Sequence, residues 1–195
     1  MNPAQTGIGT VPTTTRCWSD APLRRVVTGV DANGRSCVVH DDAPAVIMEV
    51  AGILRLTQIW CTNSVPRLVP LAASIREPAG PPSVNVGADA VLFAVMDLAP
   101  GDITKSERLQ EVLAMDGLAE ARERASAHDN PIMHATNTID YLVVLSGELT
   151  LVLDDEEVVV RAGDLIVQGG VSHSWINHTD KPARMLGVLV GAQRR

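Results

Sequence analysis

Aromatic residues are scarce in this chain of 195 residues: they make up 3% of it, as three Trp, one Tyr and one Phe. Hydrophobic residues nonetheless account for 46%, so a core must be built mainly from Val, Leu, Ile and Ala. The many Val residues favour strands. The length suits one domain with a core of its own and leaves little room for two.

Positive charge is also in short supply. Lys and Arg number 16 against 23 Asp and Glu, for a net charge of −7, which argues against nucleic acid as a partner. No apolar run approaches the roughly 18 residues of a membrane-spanning helix. Residues 1–16 are polar and lack the basic start and apolar stretch of a signal peptide. We therefore expect a flexible N-terminal arm, no membrane contact and a cytoplasmic protein.

Cysteines are few and widely spaced. Cys17, Cys37 and Cys61 form no Cys-x-x-Cys pair, which excludes a zinc knuckle and a thioredoxin-like site. We expect them to be buried free thiols in a reducing compartment.

The N-terminal half contains apolar runs that predict strands. Asn33-Gly34 lies between two Val-rich runs and predicts a hairpin. The predicted strands cover residues 24–30, 37–40, 46–48, 54–62 and 90–98. Five prolines make residues 63–89 a long surface connection, a kind of loop that often serves a site.

Two later segments differ in periodicity. Between residues 105 and 125, apolar residues recur at helical spacing, which predicts one or two short helices interrupted at Asp116-Gly117. From residue 132 onward, short Val- and Leu-rich runs alternate with Gly turns, which indicates an antiparallel sandwich or barrel. These strands are predicted at 141–145, 149–153, 158–160, 165–167, 174–177 and 185–190. We found no internal repeat, so we expect one structural domain: strands, loop and helical segment over 17–131 complete a barrel whose remaining part is 132–191.

Two spaced sets of residues stand out in the C-terminal part. The first is His134, Thr136, Asp140 and Gly147; the second is Gly163, Gln168, Gly170, His173 and Asn177. Their spacings resemble the two motifs of the cupin superfamily. The resemblance implies an all-β fold, the double-stranded β-helix or cupin jelly-roll barrel, here with an N-terminal strand extension and a short helical insertion near 105–125. Arg24–Gly29 and Thr138–Tyr141 further resemble a group of cupins found in biosynthetic gene contexts.

The chain departs from the family motifs at three positions. Thr136 replaces the second His, Asp140 replaces Glu, and Gln168 replaces Pro. The family site holds a divalent metal with three His and one Glu. The resemblance therefore implies a reduced metal site of His134, Asp140 and His173 for Zn, Fe or Mn, since two imidazoles and a carboxylate suffice for such ions. The alternative is a decayed site without metal, in which the two His form hydrogen bonds inside a polar pocket.

Other residues near these motifs have two interpretations each. Thr136 either orients a water or substrate oxygen or fills a strand. Gln168 either binds a substrate oxygen or stabilises its turn. Trp175 shares a strand face with His173 and either walls an apolar ligand or packs in the core. Tyr141 follows Asp140, so it should point to the opposite face and pack in the core or an interface.

The resemblance implies three functions. The first is a metal-dependent lyase or isomerase (a decarboxylase, dehydratase or epimerase) that acts on an oxygenated biosynthetic intermediate, with Asp140, His134, His173 and Thr136 as catalytic residues. An iron-dependent dioxygenase is the second, and a non-catalytic protein that binds a small ligand is the third. A small molecule is the expected partner in each case. We also expect a homodimer, because an exposed sheet edge needs cover.

Overall fold

The computed structural model describes residues 22–62 and 85–193. The strands of this part are β1 Arg25–Val30, β2 Ser36–Asp42, β3 Val46–Val50, β4 Leu54–Thr62, β5 Val91–Leu98, β6 Thr138–Ser146, β7 Glu148–Val152, β8 Glu157–Arg161, β9 Leu165–Gln168, β10 Ser174–Ile176 and β11 Ala183–Gly191. A 3-10 turn, Ile103–Lys105, precedes the helices α1 Leu109–Leu113 and α2 Leu118–Glu123. The predicted arm 1–16, Cys17 and most of the 63–89 connection lie outside the described residues.

The strands form three antiparallel sheets. The largest has the order β3-β4-β5-β11-β6-β9, the second has the order β10-β7-β8, and β1 pairs with β2. One hydrophobic core joins the first two sheets, because Leu98, Leu142 and Val144 of the six-stranded sheet cluster with Leu149 and Leu151 of the three-stranded sheet. This arrangement confirms the prediction of an all-β jelly roll.

Most strands extend past the apolar runs that predicted them. The clearest case is β6, which begins at Thr138 rather than Tyr141. Thr138 and Asp140 are both buried, so the inward face of β6 begins with polar side chains that the apolar pattern could not reveal. The Asn33-Gly34 hairpin is confirmed: the Gly34 amide donates to the Asp31 carbonyl at 3.0 Å between β1 and β2.

The helical segment is also confirmed, with its interruption where predicted. Gly117 separates α1 from α2 and adopts φ 77°, a left-handed conformation that favours glycine. Val112 and Leu118 pack with Ile132 and Ile176 in a second apolar cluster. The two helices therefore cover the chain that leads into the first motif.

Gly147 shows why the first motif needs a glycine. Its φ is 79°, and a Cβ there would lie 2.8 Å from the Cα of Ala183 and from the carbonyl oxygen of Pro182. A larger residue would thus be strained and would push β11 away from the turn between β6 and β7.

A buried ion cluster lies on the face of the large sheet that points away from the two-sheet core. Asp97 on β5 is register neighbour to Arg55 on β4 and to Arg184 on β11. Arg184 Nε donates to Asp97 Oδ1 at 2.7 Å and Arg55 Nη2 donates to Asp97 Oδ2 at 3.2 Å. The carboxylate has no exposed surface, and its charge is compensated by two guanidinium groups.

Two expectations about single residues need correction. Cys37 and Cys61 are both half-buried rather than buried. Tyr141 does point away from the core, yet 52% of it is exposed, so core packing is wrong. Among the described residues, none of the helices has the length and apolar character that crossing a membrane requires.

Candidate functional site

Two histidines from the two motifs meet in the structure. His134 and His173 form an isolated antiparallel bridge: each backbone amide donates to the other residue's carbonyl, at 2.9 and 3.0 Å. Their ring centroids are 4.3 Å apart. The bridge brings together residues that are 39 positions apart in the sequence.

Hydrogen bonds to backbone carbonyls indicate which ring nitrogen of each histidine carries the hydrogen. His134 Nδ1 lies 2.9 Å from the Ile132 carbonyl oxygen, and His173 Nδ1 lies 2.9 Å from that of Val171. A carbonyl oxygen only accepts, so each Nδ1 carries the hydrogen and each neutral ring keeps its lone pair at Nε2. Burial lowers the pKa of both residues; for His173, burial and the neighbouring His134 lower it to about 3. Both imidazoles are therefore neutral near pH 7.

Gln168 connects Asp140 to the histidines. Asp140 on β6 faces Gln168 on β9 in the strand register. Gln168 Nε2 donates to Asp140 Oδ2 at 3.1 Å and lies 2.9 Å from His173 Nε2. Because the Nδ1 hydrogen of His173 is already used, its Nε2 accepts, and the amide thus uses both of its hydrogens. Asp140 Oδ1 and Gln168 Oε1 are buried and have no hydrogen-bond partner within residues 22–62 and 85–193.

Burial gives Asp140 the opposite pKa shift. Removal of the carboxyl from water raises the pKa of Asp140, and hydrogen bonds from Thr138 and Gln168 oppose this shift. The cluster contains no arginine or lysine among the described residues that line the cavity. The negative form of Asp140 therefore lacks the compensation that Asp97 receives.

These side chains line a cavity of about 120 Å³ between the two sheets. An apolar cavity of similar size, ~150 Å³, accommodates benzene, so the space suits a molecule of about one ring. Most of the lining is apolar: Leu54, Leu56, Leu92, Ala94, Met96, Met115, Leu142, Trp175, Met185, Gly187 and Leu189. The polar residues lie together at one side of this surface.

All six residues that the sequence singled out line this one cavity: His134, Thr136, Asp140, Gln168, His173 and Trp175. Their roles in catalysis or binding stay predictions. Trp175 also belongs to the apolar core, which confirms its predicted core packing, and its contact with a ligand stays a prediction. Thr136 Oγ1 lies 2.6 Å from Thr138 Oγ1.

Sequence reasoning missed several cavity residues. Thr138 hydrogen-bonds Asp140, but the sequence indicates only that it belongs to the segment Thr138–Tyr141, which resembles a group of cupins. Met115 lines the cavity from the turn between the two helices, where helical periodicity identifies no site residue. Met96 and Met185 lie on predicted strands, but no sequence signal identifies which strand face lines a cavity.

The residues as arranged do not fit the predicted three-ligand metal centre. Across residues 22–62 and 85–193, no group of three or more His, Cys, Asp or Glu side chains is placed so that it could hold a metal ion. The imidazoles have suitable tautomers, since ligating His usually donate their other N–H to a carbonyl. Gln168, however, lies between Asp140 and His173 and hydrogen-bonds both.

Comparison with known proteins agrees with the motif spacing. The family model described as "Cupin domain" matches residues 124–189. Phomopsin biosynthesis cluster protein C' of Diaporthe leptostromiformis is 49% identical over 64 residues, which are 32% of this chain and 34% of that protein. Cupin-domain-containing oxidoreductase fogC of Aspergillus ruber is 44% identical over 62 residues, 30% of each chain. The chain thus matches about a third of the length of these relatives.

A solved structure of an RmlC-like cupin from Shewanella frigidimarina aligns with 77% of this chain and 86% of its own, at 11% identity and a TM-score of 0.41. The matched family model covers the bridge between His134 and His173, the Gly147 turn and the strands β6 to β10. Residues 124–189 of this chain therefore match the cupin domain family.

Proposed function

We propose that this protein is a small-molecule lyase or isomerase, of decarboxylase, dehydratase or epimerase type, that moves protons with His134 and Asp140. One observation carries the proposal: a single hydrogen-bonded cluster contains neutral imidazoles and a carboxyl whose pKa is shifted in the opposite direction. Environments that push neighbouring pKa values apart in this way create an acid and a base that are ready at the same pH.

The hydrogen bonds assign a different role to each group. His134 Nε2 carries a lone pair and has no hydrogen-bond partner among the described residues, so it acts as the general base. His173 Nε2 is engaged by Gln168 and is a positioning residue. Asp140 retains its proton to higher pH than an ordinary carboxyl, so its free Oδ1 acts as the general acid.

Dehydration of a β-hydroxy ketone illustrates these roles. His134 Nε2 removes the proton from the carbon beside the carbonyl, and the electron pair of that C–H bond forms the new C=C bond. The C–O bond to the hydroxyl breaks, and Asp140 transfers its proton to the departing oxygen, which leaves as water. The proton on His134 then returns to Asp140 through solvent, so the protein ends unchanged.

The names of several relatives support a biosynthetic substrate. Two matched proteins are named for phomopsin biosynthesis clusters and one for an oryzines biosynthesis cluster. We propose by analogy that the substrate is an oxygenated biosynthetic intermediate. Because the matches cover about a third of each relative, the proposal of such a substrate depends on the cavity as much as on the relatives' names.

Metal dependence belongs to the proposal as a separate element. His134, His173 and Asp140 would hold the ion, which when bound supplies a Lewis acid for a substrate oxygen. Gln168 would first have to release Asp140 and His173. The proton transfers described above require no metal.

A second candidate function is oxidation. Three matched relatives are named cupin-domain-containing oxidoreductases, which favours the iron-dependent dioxygenase alternative. Such an enzyme would consume oxygen when the iron-loaded protein and its substrate meet air, whereas a lyase or isomerase would not.

A homodimer stays a prediction, as does the cytoplasmic location. Leu165 and Val167 on the edge strand β9 are 80% and 72% exposed, and Tyr141 lies beside them on β6. This apolar edge supports pairing of two copies, which sedimentation at several concentrations would measure.

Deuterium exchange tests the proposed function without knowledge of the substrate. The wild-type protein would be incubated in D₂O with single-ring β-hydroxy ketones and enones, and exchange beside the carbonyl would be followed by NMR. If His134 and Asp140 transfer protons as proposed, the wild-type protein exchanges the hydrogens beside the carbonyl for deuterium. The variants His134→Gln and Asp140→Asn should lose this exchange. His178→Gln is the matched control, because His178 is exposed and lies outside the cavity.

Two measurements separate the alternatives. Compounds that bind without exchanging would contradict the enzyme and favour the non-catalytic binding protein. Elemental analysis of protein purified without chelators or a metal-affinity tag tests the metal. Stoichiometric metal that disappears in a His134→Ala, His173→Ala double variant would support the metal-dependent form.

A further inference from the structure

We infer that the ligand of this cavity is an uncharged molecule of about one ring that carries a hydroxyl group, whose hydrogen is accepted by Gln168 Oε1. The inference rests on the same cavity as the proposed function. It adds the chemical class of the substrate and assigns Gln168 as a specificity-determining residue.

The hydrogen bonds of the Gln168 amide limit what else this side chain can bind. Its amide nitrogen has two hydrogens, and Asp140 Oδ2 and His173 Nε2 take both. Only Oε1 remains, and this atom is buried with no partner among the described residues. Gln168 therefore cannot donate to a ligand carbonyl or carboxylate; it can only accept a hydrogen. A hydroxyl group in the cavity supplies that hydrogen.

The charges that line the cavity limit the charge of the ligand. None of the described residues that line the cavity is Lys or Arg, and Asp140 has an unpartnered oxygen there. A ligand carboxylate or phosphate would lose water without gaining a cation, beside a group that is itself acidic. Burial of an unpaired charge is strongly unfavourable, so anionic ligands are excluded.

The volume of the cavity and its apolar wall determine the size and the apolar part of the ligand. Trp175, Met96, Met115 and Met185 line the remaining wall. Flexible methionines fill irregular gaps and contact aromatic rings favourably. The volume of about 120 Å³ matches one six-membered ring with a small substituent.

A matched series of four ring compounds tests this class. Phenol, anisole, benzoate and toluene share one ring and differ in whether the substituent donates, only accepts, is charged or is apolar. Binding to the full wild-type chain would be measured by calorimetry or NMR titration at neutral pH. Phenol donates a hydrogen bond to Gln168 Oε1, whereas anisole and toluene have no hydrogen to donate. We therefore expect phenol to bind about tenfold more tightly than either of them. Benzoate should show no saturable binding.

The variants assign the preference to Gln168. Gln168→Met removes the acceptor with little change in length and should reduce the phenol preference to about twofold, while toluene still binds. Ser172→Ala, a change outside the cavity lining, should keep the preference. Equal binding of phenol and anisole by wild-type protein, tighter binding of benzoate, or no binding by any of the four would each overturn the inference. The wild-type series decides the matter even if Gln168→Met fails to fold.

This test fails separately from that of the proposed function. Selective phenol binding without deuterium exchange on any substrate would contradict the enzyme but support the ligand class. Turnover of a carboxylate substrate would support the enzyme and overturn the ligand class.

Discussion

Two buried aspartates on the large sheet illustrate how one residue type serves two purposes. Asp97 lies on the face away from the cavity, where Arg55 and Arg184 compensate its charge at 3.2 and 2.7 Å. Asp140 lies on the cavity face, where Gln168 is its partner from the neighbouring strand and one of its oxygens has no partner in the described part of the chain. Both are nearly inaccessible, at 0% and 4% exposure. The difference is therefore in their partners and not in their burial.

Compensation determines what each carboxyl can do. A buried carboxylate between guanidinium groups holds strands together, and removal of one member leaves an unpaired charge. A buried carboxyl without a cation is held closer to its neutral form, at a cost in stability. Such a group is able to exchange a proton or a ligand, which is why we place function at Asp140 and structure at Asp97.

The same substitution at both positions should separate these roles. Asp97→Asn leaves Arg184, which is 5% exposed, without its carboxylate, so we expect the free energy of unfolding to fall by about 3–5 kcal/mol. Urea denaturation measures the loss. Phenol binding by the folded fraction should be unchanged. A loss below about 1 kcal/mol would show that the ion cluster is not structural.

Asp140→Asn should have the reverse profile. The amide retains an acceptor for Gln168 and removes an uncompensated acid, so we expect stability to stay within about 1 kcal/mol of wild type. Deuterium exchange should fall by about 100-fold or more, because the general acid is lost. Unaltered exchange in a folded variant would remove Asp140 from the mechanism.

Gln168→Glu sharpens the comparison by adding a second acid to the cavity. The variant loses both donated hydrogen bonds and places a carboxyl beside Asp140, so we expect a loss of about 1–3 kcal/mol. The new set of two His and two carboxyls should bind Zn²⁺ or Mn²⁺ more tightly than wild type and recover stability when loaded. Isothermal titration and thermal unfolding measure both effects. Equal metal affinity in the two proteins would show that Gln168 does not oppose metal binding.

The smallest expected effect is on the pH dependence of stability. The pKa of His173 is lowered to about 3, so between that value and its unfolded pKa of ~6.5 the unfolded chain binds more protons, and stability rises as the pH rises. The raised pKa of Asp140 acts in the opposite direction: its contribution falls as the pH rises above ~3.8. The lowered pKa of His134 acts in the same direction as that of His173. We therefore expect a net gain on the order of 1 kcal/mol from pH 4 to 6.5.

Replacement of the histidine isolates its part of this curve. His173→Gln should remove the part of the rise between pH 4 and 6.5 that comes from His173 and leave the part that comes from His134, and His178→Gln should keep the whole rise. Thermal unfolding across this range provides the measurement. A rise of unchanged size in His173→Gln would assign the dependence to other groups.

The positions of the strands were largely predictable. Strand β4 begins and ends at the predicted residues, and the break at Gly117 was visible because both depend on local patterns of two or 3.6 residues. Strand β6 was predicted too short because its buried face begins with Thr138 and Asp140. Burial of a polar group depends on what covers it, which local periodicity does not contain.

The chain's residues by themselves determined the all-β class, the turn at Gly147 and six of the residues that line the cavity, because strand periodicity, backbone conformation and motif spacing are local properties. Only the tertiary structure decided how those six residues are connected. Gln168 and Asp140 are 28 positions apart, and His173 meets the same amide through the turn that follows β9. Hydrogen-bond partners, burial and the resulting pKa shifts arise when distant strands meet, and these properties distinguish the uncompensated Asp140 from the compensated Asp97.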